Sequence, residues 1–193
     1  MSRLLSKGFR SRISILGLFF LFNGASWASS LVEVSGSDLV QDKEVTFRFS
    51  EAQKATVVAF LSTRCPCSAS HQSVLNQLTR DFGTQGFRFV GIHSNANEDL
   101  KEAREFFGKS GLAFPVVHDP HSKLADQLKA FKTPHVFVVS PKAEVLFEGG
   151  VDNSKSSEKA TQHYLKEALA AISLGKNPPE KAVRVLGCEI KRP

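Results

Sequence analysis

Apolar positions in "EVTFRF" (44–49) fall at Val45, Phe47 and Phe49, every second residue, the period of a strand buried on one face. "ATVVAFLS" (55–62) has no polar face; a continuous apolar run of this length predicts a central strand covered on both sides. The period then lengthens. Cys67, His71, Val74, Leu75, Leu78 and Phe82 recur at steps near three and four, which predicts a helix from Pro66 to about Phe82. Pro66 suits the first helical position, where its missing N–H costs nothing. "GFRFVGIHS" (86–94) reads as a second inner strand, followed by a helix over 97–108 presenting Leu100, Ala103 and Phe107. A short strand is expected at 114–119. Asp119-Pro120 then starts a helix with Leu124, Leu128 and Phe131 on one face. Two strands (135–140 and 144–150) flank a turn at Pro141-Lys142. A last helix is expected from Ser157 to Leu174, with Leu165, Leu169 and Ile172 inward and Gly175 as its stop. Strands alternating with helices, then a hairpin and a terminal helix, predict an α/β fold with a mixed central sheet flanked by helices.

The two ends lie outside this pattern. Residues 1–12 carry Arg3, Lys7, Arg10 and Arg12 without an acid, and the apolar run "ISILGLFFLF" and then "NGASWASS" follow. This is the order of a secretory signal, with Ser26-Trp27-Ala28 as the cleavage site, so residues 1–28 are expected to be removed on export. The apolar run is shorter than the ~20 residues that span a bilayer. The expected location is therefore periplasmic or secreted, with no stable membrane insertion after cleavage. A single domain is expected over 29–175. The tail, 176–193, begins with "KNPPEK" and ends in the apolar "AVRVLGCEIKRP", which should dock on the body instead of fraying.

The signal also changes the reading of charge. The formal net charge of +6 falls to about +2 once residues 1–28 are set aside. The rest of the chain shows no cluster of lysine and arginine interleaved with aromatics, so nucleic acid is not an expected partner.

Three cysteines carry the candidate chemistry: Cys65 and Cys67 in "STRCPCSASH" (62–71), and Cys188 in the tail. Cys65 follows a central strand and precedes Pro66, so it sits at or beside a helix N-cap. Unsatisfied N–H groups and the helix dipole favour a thiolate there, and Arg64 adds a neighbouring cation. The bland alternative is an inert buried cysteine. Cys67 extends the core-facing stripe and reads equally as a resolving thiol or a core residue. Cys188 reads as a resolving thiol or as one end of a static bridge; such a bridge would close a loop worth roughly 4–5 kcal/mol. The histidines show no zinc-type spacing with the cysteines. His71 and His135 suggest a Cu(I) site with the thiols as a non-enzymatic alternative. No cofactor is expected.

With "FLSTRCPCS" after a strand, "KTPHVFVV" before a hairpin, "FEGGVDNS" after it and "LGCEIKRP" at the end, the chain resembles the redoxin group of the thioredoxin superfamily. That group holds the alkyl hydroperoxide reductase/thiol-specific antioxidant proteins and exported thiol–disulfide oxidoreductases. The resemblance covers about residues 38–192. It implies a thioredoxin-like fold, Cys65 as the active-site cysteine, and Thr133-Pro134 as a cis-proline loop facing it. Two departures bear on activity. The pair is C-x-C where a thioredoxin has C-x-x-C, with Ser68 in the second position. In the peroxiredoxin pattern P-x-x-x-[T/S]-x-x-C, Ser62 and Cys65 match but Val58 replaces the proline. The resemblance thus implies thiol–disulfide exchange through Cys65, with Cys67 or Cys188 resolving, and a thiol-dependent peroxidase as the alternative. The implied partners are a protein or small-molecule disulfide or thiol substrate and a separate redox partner.

Overall fold

The computed structural model describes residues 33–193. The expected signal, 1–28, lies outside the described residues.

Seven strands form one mixed sheet. In chain order they are β1 (Glu33–Asp38), β2 (Lys43–Arg48), β3 (Ala55–Phe60), β4 (Phe87–His93), β5 (Val116–His118), and, after a short β6 (Lys132–Thr133) outside this sheet, β7 (His135–Val139) and β8 (Val145–Gly149). Their spatial order is β2-β1-β5-β4-β3-β7-β8. β3, β4 and β5 run parallel to their neighbours in this group, while the β3–β7, β7–β8, β1–β5 and β1–β2 pairs are antiparallel.

The continuous apolar run of β3 is explained by its central place, because both faces are covered. Val57 and Ala59 face a core built with Leu75, Leu78 and Phe82 of α1 (Pro66–Gly83), Phe107 of α2 (Leu100–Lys109) and Leu165 and Leu169 of α4 (Tyr164–Ser173). Val58 and Phe60 face a second core with Leu124 and Leu128 of α3 (Lys123–Leu128) and Ile190 of the tail. The alternation along one strand therefore serves two layers of helices.

The structure differs from the sequence reading at three elements. β1 was not expected: "EVSGSD" buries one apolar side chain, Val34, and carries Gly36 where the strand passes within contact of the His118 carbonyl. The helix expected to start at Asp119-Pro120 breaks after one 3-10 turn, because His121 and Ser122 have positive φ (63° and 53°). Asp119 still does its capping across that break, accepting the N–H groups of Leu124 (3.0 Å) and Ala125 (3.1 Å) at the start of α3. Lys129, with φ 56°, ends α3, so Phe131 is half-exposed and not on its buried face. The last helix likewise starts later than expected, at Tyr164, after a separate 3-10 turn at Ser157–Lys159. Its stop at Gly175, φ 71°, is where the sequence put it.

The tail runs back over the sheet. Ala182 bridges Glu148 of β8, Val185 and Ile190 are buried, and β9 (Cys188–Glu189) pairs antiparallel with β6, placing Cys188 opposite Thr133. Ile190 N–H donates to the Phe131 carbonyl and Lys191 N–H to Asn95 Oδ1, while Arg192 reaches Asp126 and the Ala130 carbonyl. Gly187 makes this docking possible. A Cβ there would come 2.1 Å from the Thr133 carbonyl oxygen, and its φ of 154° disfavours other residues as well.

Gly187→Val should therefore release the last segment while leaving the sheet intact. By hydrogen exchange, Ile190 and Lys191 amides should lose protection while β3 and β4 amides keep theirs. Unchanged protection at Ile190 would show that the tail docks without the close approach of Gly187.

Candidate functional site

The site forms at the carboxyl end of β3, where an open α/β sheet places its chemistry. Cys65 has extended backbone angles (φ −90°, ψ 113°) and is the N-cap of α1, with Pro66 at the first helical position. Its carbonyl already accepts the Ala69 N–H, so the side chain lies just outside the first turn. The peptide bond Thr133–Pro134 is cis, and the Cys65 thiol donates to the Thr133 carbonyl oxygen (2.9 Å). Across the small sheet, Cys188 is the register partner of Thr133. Residues far apart in sequence thus meet at Thr133: Cys65 from one side and Cys188 from the other.

Exposure separates the three sulfurs. Cys65 is 1% exposed and Cys67 7%, whereas Cys188 is exposed; none is in a disulfide. Burial on its own pushes the Cys65 thiol up, but donors outweigh it and the net direction is down. Those donors are the Cys188 thiol, the Thr133 hydroxyl, and the backbone N–H groups of Ser68 and Cys188. Cys188 moves the other way: partial burial, the hydrogen bond it gives to Cys65 and the charge on Cys65 raise it to about 12. Cys67 is raised by burial and by the neighbouring Cys65 charge. Of the three sulfurs, Cys65 is the one whose surroundings favour the thiolate; those of Cys67 and Cys188 favour the thiol.

One expectation about charge needs correction. Arg64 does not face Cys65. Its guanidinium pairs with Glu102 of α2 (2.9 Å) and donates to the Asn97 carbonyl, so the cation adjacent in sequence is turned away in space. A positive charge that does reach Cys67 and Cys188 is Lys155, which offsets part of the rise at each. Nothing in its sequence, "VDNSKSS", marks it. The loop carrying it is clamped to α1 by hydrogen bonds between Ser157 and Ser70 and by the buried His71–Asp152 pair (3.0 Å). His71 Nδ1 faces the Cys67 carbonyl at 2.7 Å, so both ring nitrogens are committed. His135 is packed against Phe131 and Phe137, and burial lowers it to about 4. Neither histidine is offered to the sulfurs as the Cu(I) alternative required. Among the described residues, no group of three or more His, Cys, Asp or Glu is gathered as a metal site.

Glu98 was not singled out by the sequence, yet it organises the loop before Cys65. Its carboxylate accepts the Ser62 hydroxyl (2.5 Å), the Thr63 N–H (2.8 Å) and hydroxyl (2.6 Å), and His93 Nε2 (3.0 Å). Ser62 in turn accepts the Arg64 N–H, and its own N–H goes to Ser68 Oγ. Burial alone would raise the Glu98 carboxyl; the bonds from His93, Ser62 and Thr63 outweigh it and hold it at about 2. A carboxyl depressed in the folded state contributes stability above its unfolded value, and this is lost as pH falls from about 4.5 toward 2. Glu98→Gln should lower neutral-pH stability by on the order of 3 kcal/mol and flatten that acid-side loss, measured by denaturant unfolding across this range. Identical acid profiles for the two proteins would show that Glu98 is not held ionised by the loop.

Three solved structures show how far the architecture extends. The chain matches an uncharacterized conserved protein from Geobacillus kaustophilus with a TM-score of 0.74 at 23% identity, covering 83% of this chain and 89% of that one. A peroxidoxin from Mycobacterium tuberculosis matches with a TM-score of 0.55 at 17% identity, over 75% and 94% of the two chains. A protein from Chlorobium tepidum, described as a thiol:disulfide interchange protein, matches with a TM-score of 0.52 at 16% identity, over 60% and 79%. At these identities the likeness is one of fold, and the fold is thioredoxin-like. No curated protein sequence matches the chain. The AhpC/TSA family pattern matches residues 33–147, which carry β1 to β7 and the start of β8, Cys65, Cys67 and the Thr133–Pro134 turn. The chain belongs to the AhpC/TSA family, the redoxin group of the thioredoxin superfamily.

Proposed function

We propose that this chain is a thiol–disulfide oxidoreductase of the cell envelope, in which Cys65 is the nucleophile and Cys188 resolves. The observation that carries this reading is the junction at Thr133, which sets Cys188 in register opposite the residue whose carbonyl touches Cys65. Envelope location rests on the signal pattern of residues 1–28; among the described residues, no helix is long and apolar enough to cross a membrane.

The exchange follows from the state of each sulfur. The Cys65 thiolate attacks one sulfur of a substrate disulfide, forming a mixed disulfide and expelling the other half as a thiolate. Because Cys65 is 1% exposed beneath the tail, that attack requires β9 to lift. When the tail returns, Cys188 gives up its proton and attacks the Cys65 sulfur. The remaining substrate thiolate leaves, and a Cys65–Cys188 disulfide holds the two electrons' worth of oxidation. Cys67 is a buried, protonated neighbour in this scheme and forms no bond. Thr133 and Pro134 hold the backbone against which both sulfurs are placed.

Disulfide exchange is preferred to peroxide reduction because the matching residue of the peroxidase pattern is committed elsewhere. The Ser62 hydroxyl donates to Glu98 and accepts from Arg64, and Val58 lies fully buried in β3. The substrate, protein or small molecule, and the redox partner both belong to this proposal.

Oxidation of the purified protein, followed by peptide mass mapping, should give a Cys65–Cys188 disulfide that mild thiol reduces. The same bridge should form in Cys67→Ser, and disulfide-exchange turnover should fall at least tenfold in Cys188→Ser. Unchanged turnover in Cys188→Ser, or a Cys65–Cys67 bridge in its place, would overturn the assignment of Cys188. Hydroperoxide consumption faster than disulfide exchange, abolished in Cys65→Ser, would make the peroxidase the correct activity.

A further inference from the structure

We infer that the cleft between β6, the start of β7 and the tail is the docking surface for an acidic segment of the protein whose disulfide is exchanged. This rests on the reading of the chain as a thiol–disulfide oxidoreductase, and it names the kind of partner that the surface selects.

The cleft has a volume of about 510 Å³ and is lined from the body by Lys129, Lys132 and His135, and from the tail by Arg184 and Val185. Its charge is one-sided: Lys129, Lys132 and Arg184 stand against a single carboxylate, Glu148. On the neighbouring residues, charges are matched. Arg192 pairs with Asp126 (2.7 Å), and Glu189, the register partner of Lys132, pairs with Lys191 (3.2 Å). Among the described residues, none of the three cations in the cleft has an ion-pair partner. The Lys132 ammonium donates instead to the neutral Val185 carbonyl (3.3 Å). Like charges held in one cleft repel, and an incoming carboxylate relieves that repulsion.

The lining suits a peptide better than a compact anion. The three cations stand on separate segments, at the end of α3, in β6 and in the tail, a spread matched by a chain bearing several carboxylates. Phe131, 48% exposed, adds an apolar surface to the cleft for a side chain between those carboxylates. His135 is buried, and its Nδ1 has no hydrogen-bond partner, so the lining holds a polar atom that a ligand's polar group would satisfy.

The cleft also adjoins the redox pair. Lys132 precedes Thr133 in β6, and Val185 lies three residues before Cys188. The tail at Val183 is held on β8 by its own N–H to the Glu148 carbonyl (3.0 Å), upstream of the strand that must lift to open Cys65. A partner seated there keeps its place as β9 moves, with its disulfide beside the sulfur being uncovered.

The probes are two synthetic peptides of equal length, each with one disulfide, differing only in whether Glu or Lys flanks the cysteines beside a common Phe. Versions with Ala in place of the cysteines measure docking apart from chemistry, by fluorescence anisotropy. The Glu peptide should bind about tenfold tighter than the Lys peptide at low salt, and added salt should narrow the gap. Lys129 and Arg184 are exposed, so Lys129→Gln/Arg184→Gln should fold normally. It should lose most of the preference and raise KM for the Glu disulfide peptide, with turnover of hydroxyethyl disulfide, a small neutral substrate, unchanged. Equal affinity for the two peptides, or a preference that survives the double substitution, overturns the inference. So does displacement of the Glu peptide by free glutamate at equal concentration, which would make the occupant a small anion. Charge-selective binding without exchange through Cys65 upholds the cleft and refutes the redox reading.

Discussion

A buried thiolate survives only where donors replace the water it has lost, and that condition governs the whole site. Cys65 is almost fully enclosed, and enclosure by itself favours the neutral thiol. What reverses the balance is a set of donors drawn from three separate parts of the chain. Ser68 comes from the first turn of α1, the Thr133 hydroxyl from the turn before β7, and the Cys188 thiol and N–H from the tail. Remove any one part and the sulfur loses a donor. No adjacent side-chain cation is needed, because Arg64 is engaged with Glu102.

The fold is arranged to bring those three parts together. β3 lies at the centre of the sheet, so its carboxyl end opens between two helical layers, and α1 begins there with Pro66 fixing the turn. β7 runs antiparallel beside β3, which brings its own beginning, and the Thr133–Pro134 turn just before it, to the same end. The loop between β3 and α1 is held from below by Glu98, whose four accepted hydrogen bonds fix Ser62 and Thr63. The tail then closes the remaining side as a strand, using the otherwise unpaired edge of β6. Structure and chemistry share one device here, since the strand that covers Cys65 also carries its partner sulfur.

Much of this was legible in the sequence where a local signal coincides with its tertiary role. The unbroken apolar run of 55–62 and the 3.6-residue stripe after Pro66 located β3 and α1, and with them Cys65 at the helix start. The apolar tail around Cys188 pointed to docking, although only the structure explains why glycine precedes the cysteine. The misses have physical causes. β1 buries one apolar residue and so has no alternation to detect. Asp119-Pro120 is a sound helix-start signal, but left-handed His121 and Ser122 displace the helix that it caps. Arg64 misled because neighbours in sequence diverge at a strand-to-helix turn. Glu98, in "NANEDL", looks like a surface acid before a helix. Its burial depends on hydrogen-bonding partners more than thirty residues away, which no local pattern records.

The central claim is that the docked tail helps to lower the pKa of Cys65. Its most direct test is the pH titration of thiolate absorbance in the ultraviolet, comparing Cys67→Ser with Cys67→Ser/Cys188→Ser, so that Cys65 can be followed alone in the second. The account predicts that Cys65 titrates below the ordinary cysteine range in the first protein and moves upward by a resolvable amount when Cys188 is removed. A Cys65 that titrates like a free cysteine in both proteins, with no change on loss of Cys188, would contradict it.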